Sequence, residues 1–518
     1  MAHIIAEQLP LRPRLPEVCG CKDYRMQREL LVRIDHILEL AGADQRFIEL
    51  SLAQFDAGAC KRSGEGDFQA RRTPPCCPYD SRGNVKTSWL RHARCALRVN
   101  IIRVLTNTSL RRISVQLADS ALARWFCGVN EFGLVKAPSK STVDRYEDWL
   151  DAPAIEVLIK EILQAAAEPG PEPLGLREPV DLSEAWLDGT CLKANIHYPV
   201  DWVLLRDVSR TLMKATLLIR KRGLKNRMPQ SPEDFLRDMN KLVISMTQSR
   251  RRKGGAKLRK GILREMKKLE KRIVKHAQAH RDVLHDRWEE TDLSQAQAMQ
   301  IIRRIDGVIE QVPAAIDQAH ERIIGERRVA ANDKILSLYE PEINVVVRGK
   351  ADAEVEFGNV LRLAEQRQGL IIDWKLYRDP VADNAPKPFA ECVDRLVETT
   401  GGKLEQLWTD RGMESAKNVA QLRAAGIGNG ICPKSPDILR ERMADEDYAA
   451  GQRRRASTEG RIGLMKNNFL GSAMRNKGFE SRNRAVGWGV LGHNLWVLGR
   501  LSEAATSKAD DEAHPRAA

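Results

Sequence analysis

Three carboxylates in this chain have the surroundings that metal-assisted phosphoryl transfer needs. Asp188 closes the run Glu184-Ala185-Trp186-Leu187-Asp188-Gly189-Thr190, and Asp410 closes Leu404-Glu405-Gln406-Leu407-Trp408-Thr409-Asp410-Arg411-Gly412. Each run reads as a short strand ending in an acid beside a glycine. The third acid, Glu459, lies in a basic stretch, with Arg454, Arg455, Arg461 and Lys466 around it. Arg455 stands one helical turn before Glu459 and Lys466 two turns after, so the three share one helix face. Hard oxygen ligands select magnesium, and two such ions about 3.5–4 Å apart stabilise both the attacking and the leaving oxygen of a phosphodiester. The expectation is therefore a site for two Mg2+ ions, replaceable by Mn2+, in which Asp188 bridges, Asp410 completes one ion and Glu459 the other. Arg455, Arg461 and Lys466 would hold the phosphates. A solvated charged helix face is the plainer reading of the same cations. Glu356, in Val355-Glu356-Phe357-Gly358, and Asp383 are competing acids of second rank, Glu356 because it lies mid-strand.

In these positions the chain resembles the DDE transposases of bacterial insertion sequences, over about Asp181 to Arg500. Asp188-Gly189-Thr190, Asn195 to Asp201, Gly349-Lys350, Val355 to Gly358, Asp410-Arg411-Gly412 and Glu459 to Gly463 carry the resemblance. Arg455, Glu459 and Lys466 fit the Arg-x3-Glu-x6-Lys part of a signature found in a subset of that family, and Gln452 stands where that subset has tyrosine. The resemblance implies a ribonuclease H-like catalytic domain, an α/β fold with a mixed sheet flanked by helices. It also implies hydrolysis at each transposon end followed by attack of the freed 3′-hydroxyl on target DNA. Double-stranded DNA, as transposon ends and as target, would be the partner of a homodimer associated with the bacterial nucleoid. The residues by themselves support metal-dependent phosphoryl transfer, so a DNA-end-binding protein without catalysis and a nuclease without joining activity stay open as alternatives.

Composition agrees with a polyanionic partner. The 518 residues carry a formal charge of +14, which favours nucleic acid. No run of eighteen apolar residues is present, so a membrane-spanning segment is not expected. Met1 to Leu15 is too rich in charge and proline for a signal peptide, which implies a cytoplasmic protein. The ten cysteines lack the paired spacing of a zinc ribbon.

The elements that must position the acids follow from periodicity. Residues 1–25 read as an extended leader, and apolar spacing from Arg28 to Phe55 predicts one amphipathic helix. Glycines and prolines mark residues 56–84 as a linker, so that 1–84 form an N-terminal helix and linker. Residues 85–170 read as helical, with breaks near Asn107–Ser109 and Gly128–Pro138, compatible with a helix-turn-helix DNA-binding domain. Ser141 and Asp144 have capping-box spacing there, and Lys140 and Arg145, with Arg111 and Arg112, are candidate phosphate contacts. Pro169 to Pro179 predicts a domain boundary before the catalytic domain of residues 180–501. A helical insertion at 202–338 interrupts that domain, with Pro313 as its one strong interior breaker. Within it, residues 250–275 hold thirteen Lys or Arg against Glu265 and Glu270, which suits a helical hairpin making non-specific phosphate contacts or, more plainly, a solvated helix. Three strands between Ile343 and Tyr377 form a meander, then come a helix at 387–399, the Asp410 strand, a helix at 416–425, a strand at 427–432 and the Glu459 helix. Residues 487–501 read as a buried helix, and 502–518 as a disordered tail.

Overall fold

A computed structural model of the protein describes residue 15 and residues 18–62, 77–129, 135–170, 173–249, 252–350, 353–471 and 473–513. Most of the expected leader, part of the expected linker, Arg250, Arg251 and the last five residues lie outside that set. The chain is mixed α/β, with sixteen α-helices and six strands among the described residues. In order these are α1 (Lys22–Leu40), α2 (Ala43–Arg62), α3 (Thr87–Leu105), α4 (Leu110–Asp119), α5 (Ala121–Cys127), α6 (Lys140–Glu147) and α7 (Ala152–Ala166). Then follow β1 (Glu184–Lys193), α8 (Asp201–Lys221), α9 (Pro232–Ser249), α10 (Gly255–Arg287), α11 (Gln295–Ile323), β2 (Asn344–Lys350), β3 (Ala353–Gln366) and β4 (Ile371–Leu376). The chain continues through α12 (Pro386–Thr399), β5 (Gln406–Thr409), α13 (Ala416–Ala424), β6 (Gly428–Ile431), α14 (Pro436–Arg442), α15 (Glu446–Leu464) and α16 (Phe479–Ala513).

The strands form one mixed sheet in the order β2-β3-β1-β5-β6, with β4 paired to β3. The meander is antiparallel, β2 to β3 and β3 to β4, whereas β1, β5 and β6 run parallel. Parallel strands need crossover connections, which α13 supplies between β5 and β6.

Two compact units divide the chain, residues 1–193 with 359–518, and residues 194–358. The expected boundary at 170–180 is not where they divide. In the first unit the N-terminal helices share a single apolar core with β1, β4, α12 and α16, running through Leu31, Trp89, Ile159, Leu187, Ile371 and Trp488. Helix α3 is buried around most of its circumference, as a central helix must be. Its Arg98 bridges Asp35 of α1 and Asp44 of α2. The single N-terminal helix expected from periodicity is two, because Gly42 turns the chain in a left-handed conformation (φ 59°). The helix at the expected capping box begins at Lys140, capped by the Ser139 hydroxyl on the Thr142 N–H, so Ser141 is already inside it. At the other end, α16 runs to Ala513.

In the second unit α8, α9, α10 and α11 make a four-helix bundle around Leu205, Leu212, Phe235, Met266, Ile273 and Ile305. This replaces the simple hairpin expected for the basic insertion. Pro313 stands within α11 without ending it, since Val312 and Ala315 beside it are buried in the bundle and packing outweighs the lost backbone bond. One buried carboxyl interrupts the core: Glu270 Oε2 accepts the Ser209 hydroxyl at 2.7 Å, while Oε1 has no hydrogen-bond partner among the described residues. Burial pushes this acid up to about 8.

Candidate active site

Strand register brings the first two acids together. Trp186 pairs with Trp408 and Leu187 with Thr409, the last pair of the β1–β5 ladder. Asp188 and Asp410 therefore follow one residue beyond it on neighbouring parallel strands. Because strand side chains alternate, each acid shares a sheet face with the tryptophan two residues before it. The two indoles stack with centroids 6.4 Å apart and planes 14° from parallel. Asp188 is not at a strand end as expected, since β1 runs on to Lys193. It is the partner strand that stops there: Asp410 caps the 3-10 turn Arg411–Met413, its Oδ1 accepting the Met413 N–H at 3.3 Å.

Helix α15 brings the third acid to that face. The Trp186 indole N–H donates to the Gly451 carbonyl at 2.9 Å, and the Arg454 guanidinium lies 5.0 Å from the Trp186 ring centroid. Glu365 at the end of β3, fully buried, anchors the helix further along. Its Oε1 accepts from Arg454 and from the Thr458 hydroxyl, both at 2.8 Å, and its Oε2 accepts from Arg461 Nε at 3.0 Å. Positions 454, 458 and 461 form one helix face, turned to the sheet; 455 and 459 lie on the next. Arg461, expected as a phosphate contact, is thus committed to Glu365.

Glu459 is exposed, and Arg455 is half-buried with no ion pair among the described residues. Helix α15 ends at Leu464, so Lys466 belongs to a π-helical turn, Met465–Leu470, rather than to the same regular face. Its Nζ still reaches β1, donating to the Thr190 hydroxyl at 3.3 Å. Gln452 donates to the Gly430 carbonyl at 2.7 Å and thereby ties α15 to β6.

Electrostatics register the convergence. Burial raises the Asp188 carboxyl to about 6; the Asp410 and Glu459 carboxylates add to the rise, and the Gly189 N–H and the Arg455 guanidinium oppose it. Asp410, Glu459 and Arg455 thus all lie near enough to Asp188 for their charges to act on it. Asp383, ranked second from sequence, joins them: a β-carbon on Gly412 would stand 3.2 Å from Asp410 Oδ1 and 3.3 Å from Asp383 Oδ2. The loop carrying Asp383 is held by buried Arg362, whose Nη2 donates to the Ala382 and Asp383 carbonyls at 2.8 Å each. Glu356 pairs with Val346 in the β2–β3 ladder, in the other compact unit.

As a cation site the donor set is apt, because it offers carboxylates alone and crowds negative charge that a divalent ion would relieve. Among the described residues no three His, Cys, Asp or Glu side chains stand close enough together to hold an ion as they are. Asp188 Oδ1 accepts the Gly189 N–H at 2.6 Å and Asp410 Oδ1 the Met413 N–H at 3.3 Å, bonds that leave the second oxygen of each carboxylate for an ion.

The N-terminal candidates lie apart from this cluster in sequence and element. Lys140 is exposed at the start of α6; Arg145 bonds within the same helix, to the Ser141 carbonyl and the Thr142 hydroxyl. Helix α6 is only eight residues long. Among the described residues no helix is long and apolar enough to cross a membrane. No protein-family model, curated protein or solved structure matches the chain.

Proposed function

We propose that the chain is a DDE-type transposase whose first compact unit is a ribonuclease H-like catalytic domain. It binds double-stranded DNA at insertion-sequence ends, hydrolyses a phosphodiester there and transfers the freed 3′-hydroxyl to target DNA, working as a homodimer. The observation that carries this reading is the convergence on Asp188 of the Asp410 carboxylate from the neighbouring strand and of Glu459 and Arg455 from α15, each of whose charges acts on it. The antiparallel meander beside parallel strands, with the first acid's strand ahead of a helical insertion, agrees with the resemblance. The order of cleavage and joining comes from the resemblance alone.

Two Mg2+ ions, or Mn2+, held by Asp188, Asp410 and Glu459 would stabilise the attacking and leaving oxygens. The chain's own groups do the rest. Asp188 gives up its proton above about pH 6 and then offers an anionic oxygen. Arg455, without an ion pair among the described residues, can turn its donors to a phosphate of the DNA end. Lys466, held toward β1 by Thr190, adds a second positive charge beside the acids. Lys140 and Arg145 on α6 would contact phosphates of the recognised end.

The test incubates the purified protein with labelled DNA bearing its own element's ends and a supercoiled target, in Mg2+ and in EDTA, beside Glu459→Gln. Metal-dependent cleavage and joined products, both lost in the variant, are expected. Cleavage without joining would make the chain a nuclease, and binding without cleavage in any divalent metal would leave only a DNA-end-binding protein.

A further inference from the structure

The four-helix bundle of residues 194–358 takes no part in the chemistry above, yet it carries the densest charge in the chain. Its basic helix α10 has two opposite faces. Ile262, Leu263, Met266, Leu269 and Ile273 are buried in the bundle. At 100° per residue, Lys257, Arg264, Lys268, Lys271 and Lys275 fall within an arc of about 60° on the other side. All five are exposed, and from the first to the last the helix rises about 27 Å.

Local pairing neutralises little of this stripe. Lys268 meets Glu265 at 3.0 Å, but Lys257, Arg264, Lys271 and Lys275 have no acid partner among the described residues. Other cations of α10 are used internally, Lys260 by Glu326 and Arg272 by the Phe235 ring. Arg252 and Lys253, exposed just before the helix, extend the charge toward its N-terminus, which itself favours anions. A helix whose solvated face existed only for solubility would intersperse acids at i+4, and Glu265 is the one acid exposed between Arg252 and His280.

We propose that this face of α10 is a docking surface for the phosphate backbone of double-stranded DNA. A straight row of cations without aromatic side chains can follow a regular duplex. Single strands are held instead by stacking their bases on aromatic rings, and α10 contains no Phe, Trp or Tyr. The choice of DNA rests on the transposase reading, but the surface is tested apart from it. Such contacts are blind to sequence and make affinity fall steeply with salt.

The experiment measures binding of the full chain to a fluorescent DNA duplex of random sequence, lacking any element end, between about 50 and 300 mM KCl. The variant changes Lys257, Arg264, Lys271 and Lys275 to Gln; because all four are exposed, its circular dichroism and melting should match the parent. Each lost phosphate contact lowers the slope of log affinity against log salt by about 0.9, so a decrease of about 3 to 4 is expected. An unchanged slope overturns the proposal. So does a variant that loses binding to phosphatidylserine vesicles while keeping its duplex affinity, which would assign the stripe to a membrane surface. If the variant loses duplex binding but the parent never cleaves element ends, the surface stands and the transposase reading falls. If end cleavage is intact and the slope is unchanged, the reverse holds.

Discussion

Gly451 of α15 lies so close to Trp408 of β5 that a β-carbon on it would overlap the indole ring. The helix carrying Glu459 can approach the sheet face of Asp188 and Asp410 only because this position has no side chain. Gly451→Ala should therefore cost about 1–3 kcal/mol, as overpacking does. It should also impair DNA cleavage more than DNA binding, because it displaces Glu459. Urea unfolding with parallel cleavage assays checks both, and a variant as stable and active as the parent would show that the helix is positioned otherwise.

Glu365 neutralises two guanidiniums, Arg454 and Arg461, while fully buried. Glu365→Gln leaves both cations short of charge in a poorly solvated place, at about 3–5 kcal/mol. The same change at exposed Glu459 should leave stability within about 0.5 kcal/mol. Comparing the melting of the two variants separates the acid that builds the site from the one that serves it.

The Asp188 carboxyl keeps its proton to about pH 6, against 3.8 for an ordinary aspartate. Between those values the folded chain binds more protons than the unfolded one. Stability thus falls as pH rises through the window, and the contribution is gone above about pH 6. Asp188→Asn cannot ionise, so at pH 7 it should be more stable by about 1–2 kcal/mol, after allowing for water at a half-buried group. Mg2+ should raise the melting temperature of the parent at pH 7 and leave that of the variant unchanged. Equal responses to Mg2+ would remove Asp188 from the ion site.

Glu270 predicts a steeper version of the same effect inside the bundle. Its proton is retained to about 8 when folded, from an ordinary 4.5. Across that window stability should fall by about 1.4 kcal/mol per pH unit, and Glu270→Gln should flatten the profile. Unfolding followed at pH 5, 6.5 and 8 decides it; parallel profiles for parent and variant would mean that the buried acid is not what titrates.

Periodicity sufficed for elements whose pattern is local. The β2–β3–β4 meander, α12, α13 and β6 fall within a few residues of expectation because alternation or helical spacing is written into each segment. The matching contexts of Asp188 and Asp410 reflect neighbouring strands in register, although β1 runs on beyond Asp188 where a strand end was expected. Glu365 was not legible: nothing near Ala364-Glu365-Gln366 marks a buried acid, since its partners are about ninety residues further on. Nor was the union of the N-terminal helices with the sheet, which depends on α16 packing against α1, α3 and α7. Lys466 was expected on a regular helix face and lies in a π-helical turn instead.

The pairing of Glu184 with Gln406 has a temporal side as well. It closes a loop of more than two hundred residues, whereas the bundle draws on a contiguous stretch of chain. Local contacts form quickly and distant strand pairing slowly, because closure entropy must be met first. During synthesis the bundle can thus mature while Asp188 still waits for Asp410 and Glu459 to be made. The acids assemble only late in the growth of the chain, so a partly made chain lacks the cluster.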